Sequence, residues 1–236
     1  TVHESIFNTT DGRYRCPSTQ QGYAPFSTWT RGLAWILAGF AEQLEFLQTL
    51  SPADFPTQDS VLRTQDSYLR AATATADWYL AHSFPDGMVY WDAGAPGIPR
   101  DETYSRNRDP YTAPEPLDSS AAAIAGQGFW RLSRYLAKID PPRAQRYAAA
   151  ARLIAGTLFT EPYLATDPAH QGLILHSIYH RPNGWDHIPP GRTIPCGESS
   201  MWGDYHALEL ALLLHRELNA DPYITFFDQS ETPERA

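Results

Sequence analysis

Three apolar stripes at helical spacing open near Thr28, Asp118 and Ser200, so the pattern recurs at steps of about 90 and 82 residues. Each stripe begins with polar and small residues: Ser27-Thr28-Trp29-Thr30-Arg31-Gly32, Asp118-Ser119-Ser120-Ala121-Ala122, and Ser199-Ser200-Met201-Trp202-Gly203-Asp204. Apolar residues at intervals of three and four predict helices over 27–49, 60–82, 118–136, 141–158 and 199–218. Asp118 has cap chemistry for the third helix, and Pro141-Pro142 suit the first turn of the fourth. Short β-prone runs, Met88–Trp91 and Leu173–Tyr179, read as isolated strands after the second and fourth helices, and Arg13–Arg15 as a similar piece near the start. Helix pairs repeating at this period predict an all-α fold, a toroid of helical hairpins in which inner helices alternate with outer ones. The run Ala121–Ala125 with Gly126 and Gly128 suits an inner helix, because small residues let neighbouring helices approach closely. A plain helical bundle fits less well, since loops of some 35 residues are foreign to it.

The 236 residues carry 18 Lys and Arg against 27 Asp and Glu, a net charge of −9. That balance disfavours nucleic acid and anionic membrane surfaces as partners. No stretch reaches the roughly 20 apolar residues of a membrane span. The chain starts at Thr1 without an initiator methionine, and no signal peptide is visible. A processed or truncated chain is expected, with 1–218 as part of a toroid and 219–236 as a tail. Cys16 and Cys196 lack metal-ligand spacing and are expected to be unpaired, buried thiols. Phosphate loops, GxSxG, HExxH and aspartate-rich metal runs are absent, which weakens nucleotide chemistry, serine hydrolysis and metal-dependent cyclisation. The proline-rich segment 93–117 reads equally as a functional rim or a disordered insert.

The aromatic and polar residues gather where helices begin. Arg31 and Trp35 lie four apart and share a helix face. Indole faces stack on sugar rings or other planar ligands, and arginine grips carboxylates. Core tryptophans with an ion-paired arginine account for the same pattern. Asp118 and Asp204 likewise suit capping and first-turn positions as well as chemistry.

Five stretches in order, Thr19–Tyr23, Trp29–Trp35, Tyr90–Asp92, Asp118–Ala125 and Trp202–Tyr205, make the sequence resemble the unsaturated glucuronyl hydrolases, glycoside hydrolase family 88. The resemblance implies an α/α toroid of six hairpins, of which this chain is expected to be the C-terminal part. It also implies removal of a 4,5-unsaturated uronic acid from the non-reducing end of lyase-generated oligosaccharides. In that reaction an aspartic acid protonates the double bond, water adds, and a hemiketal opens; no metal or organic cofactor is implied. Position by position, His3 matches a pocket histidine, Gln21 a substrate-contacting glutamine and Arg31 an arginine near the uronate. Trp29 and Trp35 match aromatic walls, and Tyr205 a rim tyrosine. Gln20 replaces the family's histidine, and Leu33 its usual glutamine. The family's two aspartates match positions upstream of Thr1, so none of Asp92, Asp118 and Asp204 is assigned as the acid. A partial ring is expected to uncover Leu33, Ile36 and Phe40. The alternatives are a non-catalytic carbohydrate-binding fragment, an unsaturated rhamnogalacturonyl hydrolase or a sugar epimerase.

Overall fold

A computed structural model describes residues 2–51, 54, 57–225 and 227, with the backbone alone for 58–61. The elements run β1 (Glu4–Phe7), β2 (Tyr14–Ser18), α1 (Thr30–Thr49), α2 (Gln58–Ala81), α3 (Ser119–Leu136), α4 (Pro141–Leu158), a 3-10 turn (Arg181–Asn183) and α5 (Met201–Leu218). The helices form two layers. In the first, α3 lies between α1 and α5; in the second, α2 backs α1 and α4 backs α3. This is the alternation of inner and outer helices that the repeat predicts.

Side-chain size fixes α3 at the centre. Fifteen of the residues Ser119–Ser133 in succession are buried, which only a run this rich in alanine and glycine permits with helices on three sides. A Cβ on Gly128 would stand 2.8 Å from the backbone nitrogen of Ala38, so the α1–α3 crossing requires glycine there. The ends of the helices are set locally. Asp118 caps α3 by accepting from the N–H groups of Ser120 and Ala121, Asp140 caps α4 through Arg143, and Ser200 caps α5 through Gly203. Trp29, the N-cap residue of α1, makes no side-chain cap bond; Thr30 Oγ1 instead donates to the carbonyls of Tyr90 and Trp91.

The two expected strands do not form. Tyr90 bridges Leu117 once, and Pro116 next to it has no N–H to extend the ladder. Ile174 bridges Leu164 once. Further along, the run leaves the extended conformation at His176, whose φ is +70°. The N–H groups of Leu173 and Ile174 go instead to the two oxygens of Asp204, at 2.9 Å each. Arg13–Arg15 does lead into β-structure, since Tyr14 opens β2, which pairs with β1 in antiparallel register. The segment 93–117 is held by two carboxylates. Glu115 accepts from Trp91 Nε1 and the Gly97 N–H, and Glu102 from Tyr90 Oη and Arg108.

Two further expectations are corrected. Leu33 is buried between the helix layers and Phe40 packs on Tyr68, because α2 and α3 cover both flanks of α1. Apolar side chains that are uncovered include Met201, Leu208, Leu212 and Leu218 on α5. Cys196 is buried but Cys16 is exposed on β2; both are free thiols. Within 219–236, Tyr223 packs against the helices, donating to Glu45 and receiving a bond from Arg131. Residues 226 and 228–236 lie outside the described residues. No described helix is long and apolar enough to cross a membrane.

Candidate active site

Two rungs of side chains connect the N-terminal halves of α1, α3 and α5. In the upper rung the Arg31 guanidinium lies between two indoles, 4.9 Å from the Trp29 ring centre and 5.0 Å from that of Trp202. Its Nη1 donates to Asp118 at 3.3 Å and to the carbonyl of Ile178, and its Nη2 to the carbonyl of Tyr179 at 2.8 Å. Trp202 Nε1 donates to Ser120 Oγ at 3.1 Å, completing the link to α3. One turn further along, Trp35 meets the His206 ring edge-on at 4.8 Å, and His206 Nδ1 bonds to Oε1 of Gln127 on α3. Arg31 and Trp35 therefore do share a face, the one turned towards α5. Arg31 is buried, whereas Trp35 is 39% exposed.

On the other side of Trp29, His3 lies against the indole with ring centres 4.6 Å apart. A cavity of 240 Å³ opens here, lined by Val2, His3, Trp29, Gly32, Leu33, Trp35 and Ile36. Gly32 is required by the wall itself, because a Cβ there would stand 2.4 Å from the Trp29 ring. Thr19 ties the first loop to the cavity. Its Oγ1 bonds His3 Nδ1 at 3.0 Å and accepts from the Gly22 N–H at 2.9 Å, which places the half-buried Gln21 in the same turn. The sequence-derived residues His3, Trp29 and Trp35 thus line one cavity; Arg31 stacks on Trp29, and Gln21 lies in the turn that Thr19 ties to His3. Tyr205 is not among the lining residues; it is exposed and reaches the group only through its ring contact with His206. Trp202, Gln127 and Thr19 were not singled out as site residues by motif. Trp202 carried a signal, since it opens α5 as Trp29 opens α1; Gln127 shows only as the one amide in an alanine-rich helix.

The acidic groups nearby are fully engaged. Asp92 has no exposed surface and accepts from the N–H groups of Tyr23 and Gly94 and from Ser27 Oγ, each at 2.8 Å. Burial pushes its carboxyl up from the ordinary range, and those three donors pull it back. Asp118, equally buried, accepts from Ser120, Ala121, Ile178 and Arg31; burial again raises the carboxyl, with Arg31 acting most strongly against it. Asp204 spends both oxygens on Leu173 and Ile174. Each aspartate has a structural task. Among the described residues no group of His, Cys, Asp and Glu side chains is arranged to hold a metal ion.

No family model matches the chain. An unsaturated glucuronyl hydrolase of Bacillus sp. (strain GL1) is 32% identical over 215 residues, 91% of this chain and 46% of that protein. Another, from Formosa agariphila, is 29% identical over 209 residues, 88% of this chain and 41% of that protein. The crystal structure of the Bacillus sp. GL1 enzyme superposes with a TM-score of 0.64 at 30% identity, covering 90% of this chain and 46% of that one. An unsaturated glucuronyl hydrolase from Streptococcus agalactiae, at 23% identity and a TM-score of 0.62, supports the fold. The chain spans about half the length of the curated relatives it matches. In motifs, helix order and inner–outer layering, the chain is similar to the unsaturated glucuronyl hydrolases over about half of their length and shares part of their α/α toroid.

Proposed function

We propose that the protein takes part in hydrolysis of oligosaccharides ending in a 4,5-unsaturated uronic acid, and that these 236 residues supply the wall that holds the terminal sugar. The observation that carries this reading is the composition of the cavity: two indoles and an imidazole, with no carboxylate among its lining residues. Indole faces suit the apolar faces of a sugar ring, and an imidazole exchanges hydrogen bonds with its hydroxyls. The relatives named above support the class of substrate. Arg31 adds positive charge behind Trp29. Among the described residues three of its five N–H donors are engaged, and we assign the other two to the uronate carboxylate.

The reaction is hydration of the vinyl ether. A proton is delivered to C4, water adds at C5, and the hemiketal opens to release the remaining saccharide. Such a donor must hold its proton near neutrality and lie within hydrogen-bond reach of the substrate. Asp92, Asp118 and Asp204 are committed to backbone and side-chain donors, and none of them lines the cavity. We assign the proton donor to a residue outside this sequence.

The test is a fluorescence titration with an unsaturated uronate disaccharide. Saturable quenching or a spectral shift is expected, and should vanish in a folded Trp29→Leu, Trp35→Leu double variant. A response that survives both substitutions places the sugar elsewhere.

A further inference from the structure

The inner helix α3 carries Ala121, Ala122, Ala123, Ile124, Ala125, Gly126, Gly128 and Phe129, all buried, and one amide among them, Gln127. Gln127 has no exposed surface, and its Nε2 has no hydrogen-bond partner among the described residues. A buried amide with unmet donors is costly, and alanine or serine would fill this position without that cost. What the glutamine does obtain is a single contact, Oε1 on His206 Nδ1.

That contact fixes the chemistry of the imidazole. With Oε1 facing it, Nδ1 is assigned as the donor, and in the neutral ring Nε2 then keeps its lone pair. Burial lowers the His206 pKa below the ordinary histidine value; Glu209 acts in the opposite direction, and Arg131 with the burial. The ring is therefore neutral near pH 7. It is also held in place: Trp35 meets it edge-on on one side and Tyr205, 4.9 Å away, on the other. Trp35 is in turn a lining residue of the cavity beneath His3 and Trp29. The imidazole thus stands beside the more exposed of the two indoles, half-buried, with one acceptor nitrogen uncommitted by Gln127.

We propose that His206 is a specificity-determining residue of the sugar site, its Nε2 accepting a hydrogen bond from a hydroxyl of the sugar stacked on Trp35, and that Gln127 is the positioning residue that holds it as an acceptor. This rests on the sugar-binding reading given above. A neutral acceptor at this point requires a free hydroxyl on the ligand. A sugar that lacks the hydroxyl, or carries a substituent on it, leaves the lone pair unmatched.

The experiment is a set of fluorescence titrations with an unsaturated uronate disaccharide and its mono-deoxy analogues, one hydroxyl removed at a time. The parent protein is expected to bind one analogue about tenfold more weakly than the disaccharide. His206→Phe keeps a ring against Trp35 but has no acceptor. It should bind the disaccharide about tenfold more weakly and show no preference between the disaccharide and that analogue. His206→Gln places an amide oxygen near the former Nε2 and should recover affinity to within about threefold of the parent. Gln127→Leu, similar in size, should lose several-fold in affinity, with the preference reduced. A packing role alone would leave the preference among analogues untouched. Equal affinity for the disaccharide in parent and His206→Phe, or an analogue preference that persists in His206→Phe, overturns the assignment while leaving the sugar site standing. Absence of any saturable response in the parent overturns both.

Discussion

Removing the Asp118 carboxylate tests whether this residue is architecture or chemistry. Asp118 has no exposed surface and Arg31, its ion-pair partner at 3.3 Å, is 3% exposed. In Asp118→Ala the guanidinium stays buried, still bonded to the carbonyls of Ile178 and Tyr179 but without a counter-charge. Stranding one member of a buried pair costs about 3–5 kcal/mol. Loss of the α3 cap is worth about 1 kcal/mol by itself. The Ile178 N–H loses its acceptor as well. These losses share one carboxylate and do not add in full, so the expected total is ~4 kcal/mol. For a domain of this size each kcal/mol moves the melting temperature by about 2–4 °C, which gives a fall of about 8–16 °C. Urea denaturation and thermal melting of the parent, Asp118→Ala, Asp118→Asn and the exposed control Asp101→Ala provide the comparison. Asp118→Asn should fall between the parent and Asp118→Ala, since the amide oxygen still caps while the charge is lost. The control should stay within ~0.5 kcal/mol. A loss below ~1 kcal/mol in Asp118→Ala would show that the cap and the ion pair contribute little, and would reopen a catalytic role for this carboxylate.

Three further outcomes follow from the same geometry. Arg31→Lys keeps the charge but cannot serve Asp118 and two carbonyls from a planar group between Trp29 and Trp202; a stability loss of ~2 kcal/mol is expected by urea denaturation, together with weaker binding of the unsaturated disaccharide. His176 is buried, its Nε2 against the Pro162 carbonyl and its Nδ1 accepting from the Gly197 N–H, and burial lowers its pKa from 6.5 to about 4. The unfolded state therefore binds the extra proton between those values, so this residue's contribution is complete above pH 6.5 and declines as pH falls to 4. The stability difference between the parent and His176→Gln should shrink by ~3 kcal/mol over that interval, measured by denaturation at each pH; an unchanged difference contradicts a buried neutral ring. Arg131→Met removes the cation that bonds buried Glu45 at 2.9 Å and Glu209 at 2.8 Å, and should cost about 3–5 kcal/mol. Burial already holds Glu42 and Glu45 above the ordinary carboxyl range. Their protonation should therefore relieve much of that cost as pH falls through the carboxylate region.

The helices were legible because their signals are local. Apolar spacing, Asp118, Pro141 and Ser200 place every helix start within three residues and every end within one. The strands were not legible, since much of what stops them lies off the segment: Pro116 beside Tyr90, and the Asp204 carboxylate that takes the Leu173 and Ile174 N–H groups; the positive φ of His176 within the second run leaves no mark in the sequence. Of the site, Trp29 and Trp35 stand out at the start of α1, whereas His3, in the segment before β1, was indicated only by the family resemblance. The commitments of Arg31 were not, because its partners Asp118, Ile178 and Tyr179 lie 87 to 148 positions away. For the same reason, spacing alone cannot show that Gln127 reaches His206.

The central claim is that these residues hold the unsaturated sugar without supplying its proton. It is tested most directly by incubating the 236-residue chain with an unsaturated uronate disaccharide while recording tryptophan fluorescence and the double-bond absorbance together. The account predicts a saturable change in fluorescence while the absorbance stays constant over hours. A steady loss of absorbance that stops on substitution of Asp92, Asp118 or Asp204 would contradict it.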